Sequence, residues 1–378
     1  MYGFSLASHT KQAYTICITI KTYKYTINKL DSNISKNATV VVGGAFGDEG
    51  KGKIISYLCE KDKPDIVARG GIGPNAGHTV IAGGMRYGIR QLPSGFANKN
   101  TKLLIGAGVL VDRTVLFSEI EKLKEFNVNS RLGVDYRCTI IEEEHKKRDA
   151  GSSYLKEKIM TTGTGCGPAN EDRVKRIAKR AEDINELKRY LTDVPRELNA
   201  AIDMGKNVLI EGTQGFNLSV YYGTYPFVTS KDTSASAILS DVGIGPTKVS
   251  DVIVVFKAYL SRVGGGHLDG ELSDDVINKS EIWKKIHGLE RGTVTGRQRR
   301  IAEFNFEFAK NSVMVNGATQ VALTCIDLLF PECAGVTEYD MLSNAAKAYV
   351  KNIEEKLKTP ITLISTGPEL ESTIDLRK

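Results

Sequence analysis

The stretch Val40–Lys53 reads VVVGGAFGDEGKGK, a β-branched run that breaks into glycines and ends in two lysines. Glycines let backbone N–H groups approach phosphate closely, and the N-terminus of a following helix favours an anion. The spacing is not that of a Walker A loop, G-x-x-x-x-G-K-[ST]. Gly52 stands where a metal-holding hydroxyl belongs, and the upstream glycine, Gly44, is one residue too far away. Two acids, Asp48 and Glu49, occupy a turn that should repel them from phosphate. A carboxylate at Asp48 can replace the hydroxyl on Mg2+, a hard cation that prefers oxygen. It can also take a proton from a substrate while Lys51 neutralises phosphate charge. The plainer reading, acids favoured at a helix N-terminus, leaves the GKGK directly behind them unexplained.

Three further loops resemble this one in placement. RGGIGPNAGH carries His78, one of five histidines; EGTQGF and STGPE are the others. A lone histidine is commonly structural. In glycine-rich backbone just after a strand, a donor or acid acting on a developing oxyanion is the sharper reading. Each loop follows a strand-like run: 39–44, 65–70, 207–212 and 360–366, with more such runs at 101–108, 251–257 and 320–325. Several are apolar on consecutive positions, as strands covered on both faces should be. Helical patterns begin at Lys51 and span 114–126 and 343–357. The alternation predicts an α/β fold, a largely parallel central sheet flanked by helices and P-loop-NTPase-like, with ligands at the carboxyl ends of the strands. Residues 142–205, charged and helical in pattern, are expected to form a helical sub-lobe on a single domain running from 38 to 378.

Bulk properties exclude several classes. At 378 residues with 41% hydrophobic and 25% charged content, the chain is that of a globular protein with a full core. A net charge of +6 with interspersed acids suits an anionic small substrate rather than a nucleic-acid groove. No apolar run approaches the ~18 residues of a membrane helix. The six cysteines have no metal-ligand spacing and no C-x-x-C pair, which points to a reducing cytoplasm. Cys166 lies in the glycine-rich TTGTGCGP but has no feature of a nucleophile. Residues 1–37, rich in Thr, Tyr, Lys and Asn, lack a signal peptide's apolar core. They read equally as a tail, an extra strand, or sequence upstream of the true start.

Taken in order, GDEGKGK, NAGHT, TTGTGCGP, EGTQG, GTYPFVTS, TGRQRR and STGPE make the chain similar to the adenylosuccinate synthetase family, in a short form, from about Val40 to Leu376. The resemblance implies GTP-dependent ligation of IMP and L-aspartate through a 6-phosphoryl-IMP intermediate, with Mg2+ as cofactor. It implies that Asp48 is the base and a Mg2+ ligand together with Gly77. His78 would be the acid, Lys51 the phosphate cation, and Gln214 the holder of the purine 6-oxygen. Asn75, Ala76, Thr162, Thr229 and Arg297 match IMP contacts. Arg176 matches an arginine that reaches the neighbouring subunit's IMP, which implies a homodimer with shared sites. Gly47, Glu49, Gly50, Gly52, Lys53, Arg299, Asp327, Ser365, Thr366 and Gly367 match GTP contacts. Thr293, Val294, Thr295, Gly296, Arg297 and Arg299 match the loop that closes on aspartate, where a guanidinium fork suits paired carboxylates.

The chain departs from the family pattern at several places. Ala45-Phe46 replaces Gln-Trp, Gln298 replaces the middle arginine, and Cys325 replaces a lysine two before the guanine-binding aspartate. RVGGGHLDGEL lacks two usual prolines, so His267–Gly270 should be less stiff, and IAEFN replaces a Gly-Trp after the arginines. These changes leave open a weakened paralogue, or a synthetase for another purine or amine acceptor. A plain GTPase is disfavoured by Asp48 in place of a metal-binding hydroxyl.

Overall fold

The computed structural model describes residues 37–292 and 296–377. The amino-terminal stretch read above as a tail, and Thr293, Val294 and Thr295 of the arginine loop, lie outside the described residues. Ten strands form the central sheet: β1 (Ala38–Gly43), β2 (Ile66–Arg69), β3 (Lys102–Ile105), β4 (Leu132–Asp135), β5 (Leu191–Thr192), β6 (Val208–Glu211), β7 (Val249–Lys257), β8 (Gln320–Thr324), β9 (Ile361–Ser365) and β10 (Thr373–Asp375). Their order across the sheet is β10-β9-β8-β7-β1-β6-β2-β3-β4-β5. Every pairing is parallel except that of β9 with β10. The seven strand-like runs of the sequence are all strands here. The run at 101–108 stops at Ile105, because Gly106 turns the chain and its carbonyl accepts from Val109 N at 3.0 Å.

Consecutive apolar residues have the expected cause. Val40 and Val42 of β1 enter one core with Leu198, Ile202, Val350 and Ile353, whereas Val41 enters a second core with Ile54, Ile55 and Leu58. Helices Val194–Asp203 and Asn344–Leu357 cover the first face, and helix Lys51–Asp62 covers the second. Between 143 and 203 lie helices Glu143–Gly151, Cys166–Lys175 and Val194–Asp203, with a π-turn at Tyr154–Ile159. This stretch also contributes β5, which pairs with β4 and ends the sheet. A two-residue strand carries too little alternation to be read from sequence.

β1 is the switch point of the topology. The chain leaves it for β2 on one side, returns as β6 to sit between them, then crosses to β7 on the other side. Crevices at such a point lie outside the carboxyl ends of the strands. The turn after β1 runs into helix Lys51–Asp62, which begins at Gly50 with φ 88° and has no side-chain cap, leaving its first N–H groups for a ligand. Gly52, in the first turn, permits close packing on the hairpin strand His78–Ala82. A Cβ there would stand 2.7 Å from Thr79 O and 3.0 Å from His78 Cβ.

Candidate active site

The acids of the glycine turn face opposite ways. Glu49 is buried: Oε1 accepts from Ala45 N (3.1 Å) and Gly47 N (2.7 Å), and Oε2 from Lys51 Nζ (2.7 Å). Its own carbonyl accepts from Thr324 Oγ1 of β8 at 2.7 Å. Glu49 therefore ties the turn to itself, to its lysine and to the sheet. Asp48, half-buried with φ 60°, is directed away from that staple and onto a cavity wall. Gln214, in the EGTQG turn, also has a positive φ of 57°. Such backbone costs of order 1–3 kcal/mol per residue and persists where surrounding structure enforces it. Here the enforcement is close packing of the two turns: a Cβ on Gly215 would meet Gly47 N at 2.4 Å and Ala45 O at 2.5 Å.

The cavity has a volume of about 410 Å3. Its wall brings together Gly47, Asp48 and Lys51 from the first turn, Asn75, Ala76, Gly77 and His78 from the second, and Gln214 from the third. Thr162, Thr229 and Arg297 join them from more distant segments. Gln214 Nε2 donates to Asn75 Oδ1 at 3.1 Å, and Thr213 Oγ1 donates to Gln214 Oε1. Arg297 donates to Met160 O (3.0 Å) and Thr161 O (3.1 Å), which holds the arginine loop against the threonine loop. Cys166 also lines the wall, with its thiol pushed up to about 11 by burial, so it is not a nucleophile at neutral pH.

His78 is oriented by a carboxylate that the sequence did not single out. Nδ1 bonds Glu211 Oε1 at the end of β6. The same oxygen accepts from Ser94 Oγ (2.6 Å) and Arg69 Nη1 (3.0 Å), and Glu211 Oε2 accepts from Ser94 N (2.6 Å). Arg69 and Glu211 are fully buried. Burial alone would raise the Glu211 carboxyl, but Arg69, His78 and Ser94 outweigh it and hold it at about 2. Burial and the Arg69 charge push the His78 ring down to about 4, against the pull of Glu211. The resting pair is an ionised carboxylate and a neutral ring. Nε2, on the ring's other side, has no protein partner.

A third buried carboxylate, Glu290, gathers cations behind Asp48. It accepts from Lys257 Nζ (2.5 Å), Tyr259 OH (2.5 Å) and Arg299 Nη1 (2.6 Å). Burial opposes its charge, yet Lys257 and Arg299 bring it down to about 2. Arg299 Nε lies 2.9 Å from Asp48 Oδ2, an ion-pair contact rather than an aligned hydrogen bond. Gln298 points elsewhere: Nε2 donates to His287 O (2.7 Å) and Glu290 O (2.9 Å), closing the end of helix Glu281–Leu289. The loop without prolines is held by guanidinium groups. Arg262, stacked 4.4 Å over Phe46, donates to His267 O (2.7 Å) and Phe227 O (3.0 Å), and Arg300 donates to Gly266 O (2.7 Å).

The remaining candidates lie outside this cavity. Lys53 is buried and bonded to Ser365 Oγ, and the same lysine is attracted by the Asp327 carboxylate. With Thr366 and Gly367 these residues form a separate cluster at the ends of β8 and β9. Gly50 and Gly52 belong to the turn's backbone, and Gly296 is exposed with φ 65°. Arg176 is exposed at the end of helix Cys166–Lys175, flanked by Val174 and Ile177, which are 71% and 69% exposed.

A family model described as adenylosuccinate synthetase matches residues 40–187 and 181–333. Curated relatives of that name are 60% identical in Methanocaldococcus jannaschii, over 90% of this chain and 96% of the relative, and 59% identical in Archaeoglobus fulgidus, over 90% and 98%. The chain belongs to the adenylosuccinate synthetase family. It is a ligase of purine biosynthesis that joins IMP to L-aspartate at the expense of GTP, on the way to AMP. The fully ligated adenylosuccinate synthetase of Plasmodium falciparum superposes with a TM-score of 0.83 at 28% identity, over 90% of this chain and all of that one. A cyanophage S-2L succinoaminodeoxyadenylate synthetase, 23% identical, superposes at 0.72 over 90% of this chain and 96% of that one, a likeness of fold alone. No helix among the described residues is long and apolar enough to cross a membrane.

The depressed His78 gives the synthetase a pH signature. A ring at about 4 when folded, against ~6.5 unfolded, favours the folded state fully above pH 6.5. That contribution is lost as pH falls from 6.5 through 4, where the unfolded chain binds the extra proton. It amounts to roughly 3 kcal/mol at most, at ~1.4 kcal/mol per pH unit. Urea unfolding at pH 6.5 and 4.5 should show a steeper loss for wild type than for His78→Asn. Equal losses would mean that His78 titrates normally.

Proposed function

We propose a division of labour for the ligation in which Asp48 is the base, taking the N1 proton of IMP as the 6-oxygen attacks the γ-phosphate of GTP. The observation that carries it is the opposed placement of the two acids: Glu49 is consumed by the turn, while Asp48 lines the cavity together with Lys51 and Gln214 and meets Arg299 at 2.9 Å. Lys51 neutralises phosphate charge from a position set by Glu49. The Gln214 amide turns its N–H from Asn75 to the purine 6-oxygen as charge develops there. His78 takes a proton from solvent at Nε2 as an anionic phosphoryl group binds beside it, with Glu211 stabilising the charged ring, and then donates that proton to the phosphoryl oxygen.

Mg2+ fits this donor set. Asp48 and Gly77 offer hard oxygen, and no three His, Cys, Asp or Glu gather into a cage among the described residues. That suits a metal bringing most of its ligands on phosphate and water. When bound it neutralises the phosphates; Asp48 and Gly77 would hold it. Asn75, Ala76, Thr162, Thr229 and Arg297 bind IMP, and the loop 293–299 receives aspartate. Asp327 reads guanine by accepting N1–H and the 2-amino group, whereas adenine would leave that carboxylate facing a lone pair. The five described cysteines are free thiols, which supports a cytoplasmic location. The apolar flanks of Arg176 support a homodimer in which that arginine reaches the neighbour's IMP.

Mixing the protein with IMP, GTP, Mg2+ and L-aspartate should change the purine absorbance. Asp48→Asn should abolish that change, since general-base loss alone is worth about 10²–10⁴ in rate; near wild-type turnover would remove Asp48 from its role. For the shared site, Arg176→Leu should fold and lose IMP affinity, yet regain activity when mixed with His78→Asn. Absence of complementation, with subunit exchange verified, would argue for self-contained subunits.

A further inference from the structure

We infer that the ammonium group of Lys53, the second lysine of GKGK, is not a nucleotide contact but a strut that sets the distance between the phosphate-binding turn and the base-reading loop, and that Lys53 so acts as a positioning residue for donor selection. This rests on reading Asp327 and Ser365–Gly367 as the guanine pocket. The geometry is explicit. An ammonium group has three N–H donors and no acceptor. All three are directed at protein oxygens: Ser365 Oγ at 2.7 Å, Gly367 O at 2.6 Å and Ser372 O at 2.7 Å. Ser365 Oγ in turn donates to Gly367 O at 3.0 Å, which closes the loop on itself. No donor remains for phosphate.

The two ends of this strut belong to different parts of the donor site. Lys53 sits in the first turn of helix Lys51–Asp62, two residues after the lysine that faces the cavity. Ser365 ends β9 and Ser372 precedes β10, more than three hundred residues along the chain. The side chain is buried, and desolvation lowers it to about 8 while Asp327 pulls the other way. A buried cation costs stability unless fully paired, so its three bonds fix the loop rather than decorate it. A point charge on a flexible stem can satisfy three oxygens arranged around one nitrogen; a planar guanidinium fork cannot.

A residue that only supported the fold would disturb all three substrates alike. A strut between turn and base loop disturbs the nucleotide alone. Steady-state kinetics on the intact enzyme should therefore show the KM for GTP of Lys53→Met raised at least tenfold and the GTP-over-ATP preference in kcat/KM reduced at least tenfold. The KM values for IMP and L-aspartate should stay within twofold. If Lys53→Met does not fold, Lys53→Arg carries the test with the same direction and a smaller rise. Asp327→Asn, assayed alongside with GTP, ATP and xanthosine triphosphate, tests the pocket itself. A relative gain for xanthosine triphosphate in that variant, with wild-type GTP kinetics at position 53, overturns the strut while keeping the pocket. No change in base preference for Asp327→Asn overturns the pocket reading and the strut with it. Equal rises in all three KM values at position 53 also overturn the strut.

Discussion

A site that gathers several anions needs cations close together, and cations packed together repel one another strongly in a low-dielectric interior. Three buried carboxylates at the carboxyl edge of the sheet resolve this. Glu49 holds Lys51, Glu211 holds Arg69 and orients His78, and Glu290 holds Lys257 and Arg299. They come from a turn, a strand end and a helix end respectively. Each is also nearly inaccessible, so removing one would strand a buried cation, a loss of about 3–5 kcal/mol. These cations are thus paired internally before substrate arrives, while Arg297 is held by the carbonyls of Met160 and Thr161.

This arrangement explains why acids belong in a phosphate turn. The second carboxylate of GDEG is part of the scaffold, and the first, one residue earlier on strained backbone, lines the cavity and meets Arg299. Neighbouring residues of one type thereby acquire opposite roles, because a turn points consecutive side chains in different directions. Arg299 links the two systems, reaching Glu290 with one nitrogen and Asp48 with another.

Much of the fold was legible because its signal is local. Runs such as 207–212 and 320–325 are apolar on successive positions, which only a strand covered on both faces requires. The loops around Asp48, His78 and Gln214 were legible because glycine clusters after strands have few other uses. What escaped the sequence is long-range pairing. Glu211 lies inside a recognised motif, but its partner His78 is over a hundred residues away, and only tertiary structure gives it a function. Glu290, Lys257 and Arg262 carry no local pattern at all. The resemblance places Lys53 among the GTP contacts, and its ammonium group is directed at three protein oxygens. Gln298 and the proline-free loop read as departures from the family pattern, and only the tertiary structure shows the amide closing a helix end and Arg262 and Arg300 donating to His267 O and Gly266 O.

With Asp48 as the proposed base, the purine oxygen takes phosphate before any amine attacks. Positional isotope exchange isolates that step. GTP carrying 18O in the β,γ-bridge is incubated with enzyme, IMP and Mg2+ in the absence of aspartate. The account predicts that the label scrambles into the non-bridging β-positions, because phosphoryl transfer to IMP is reversible without the amine. Recovered GTP with its label still confined to the bridge, from enzyme that forms adenylosuccinate when aspartate is added, would contradict it.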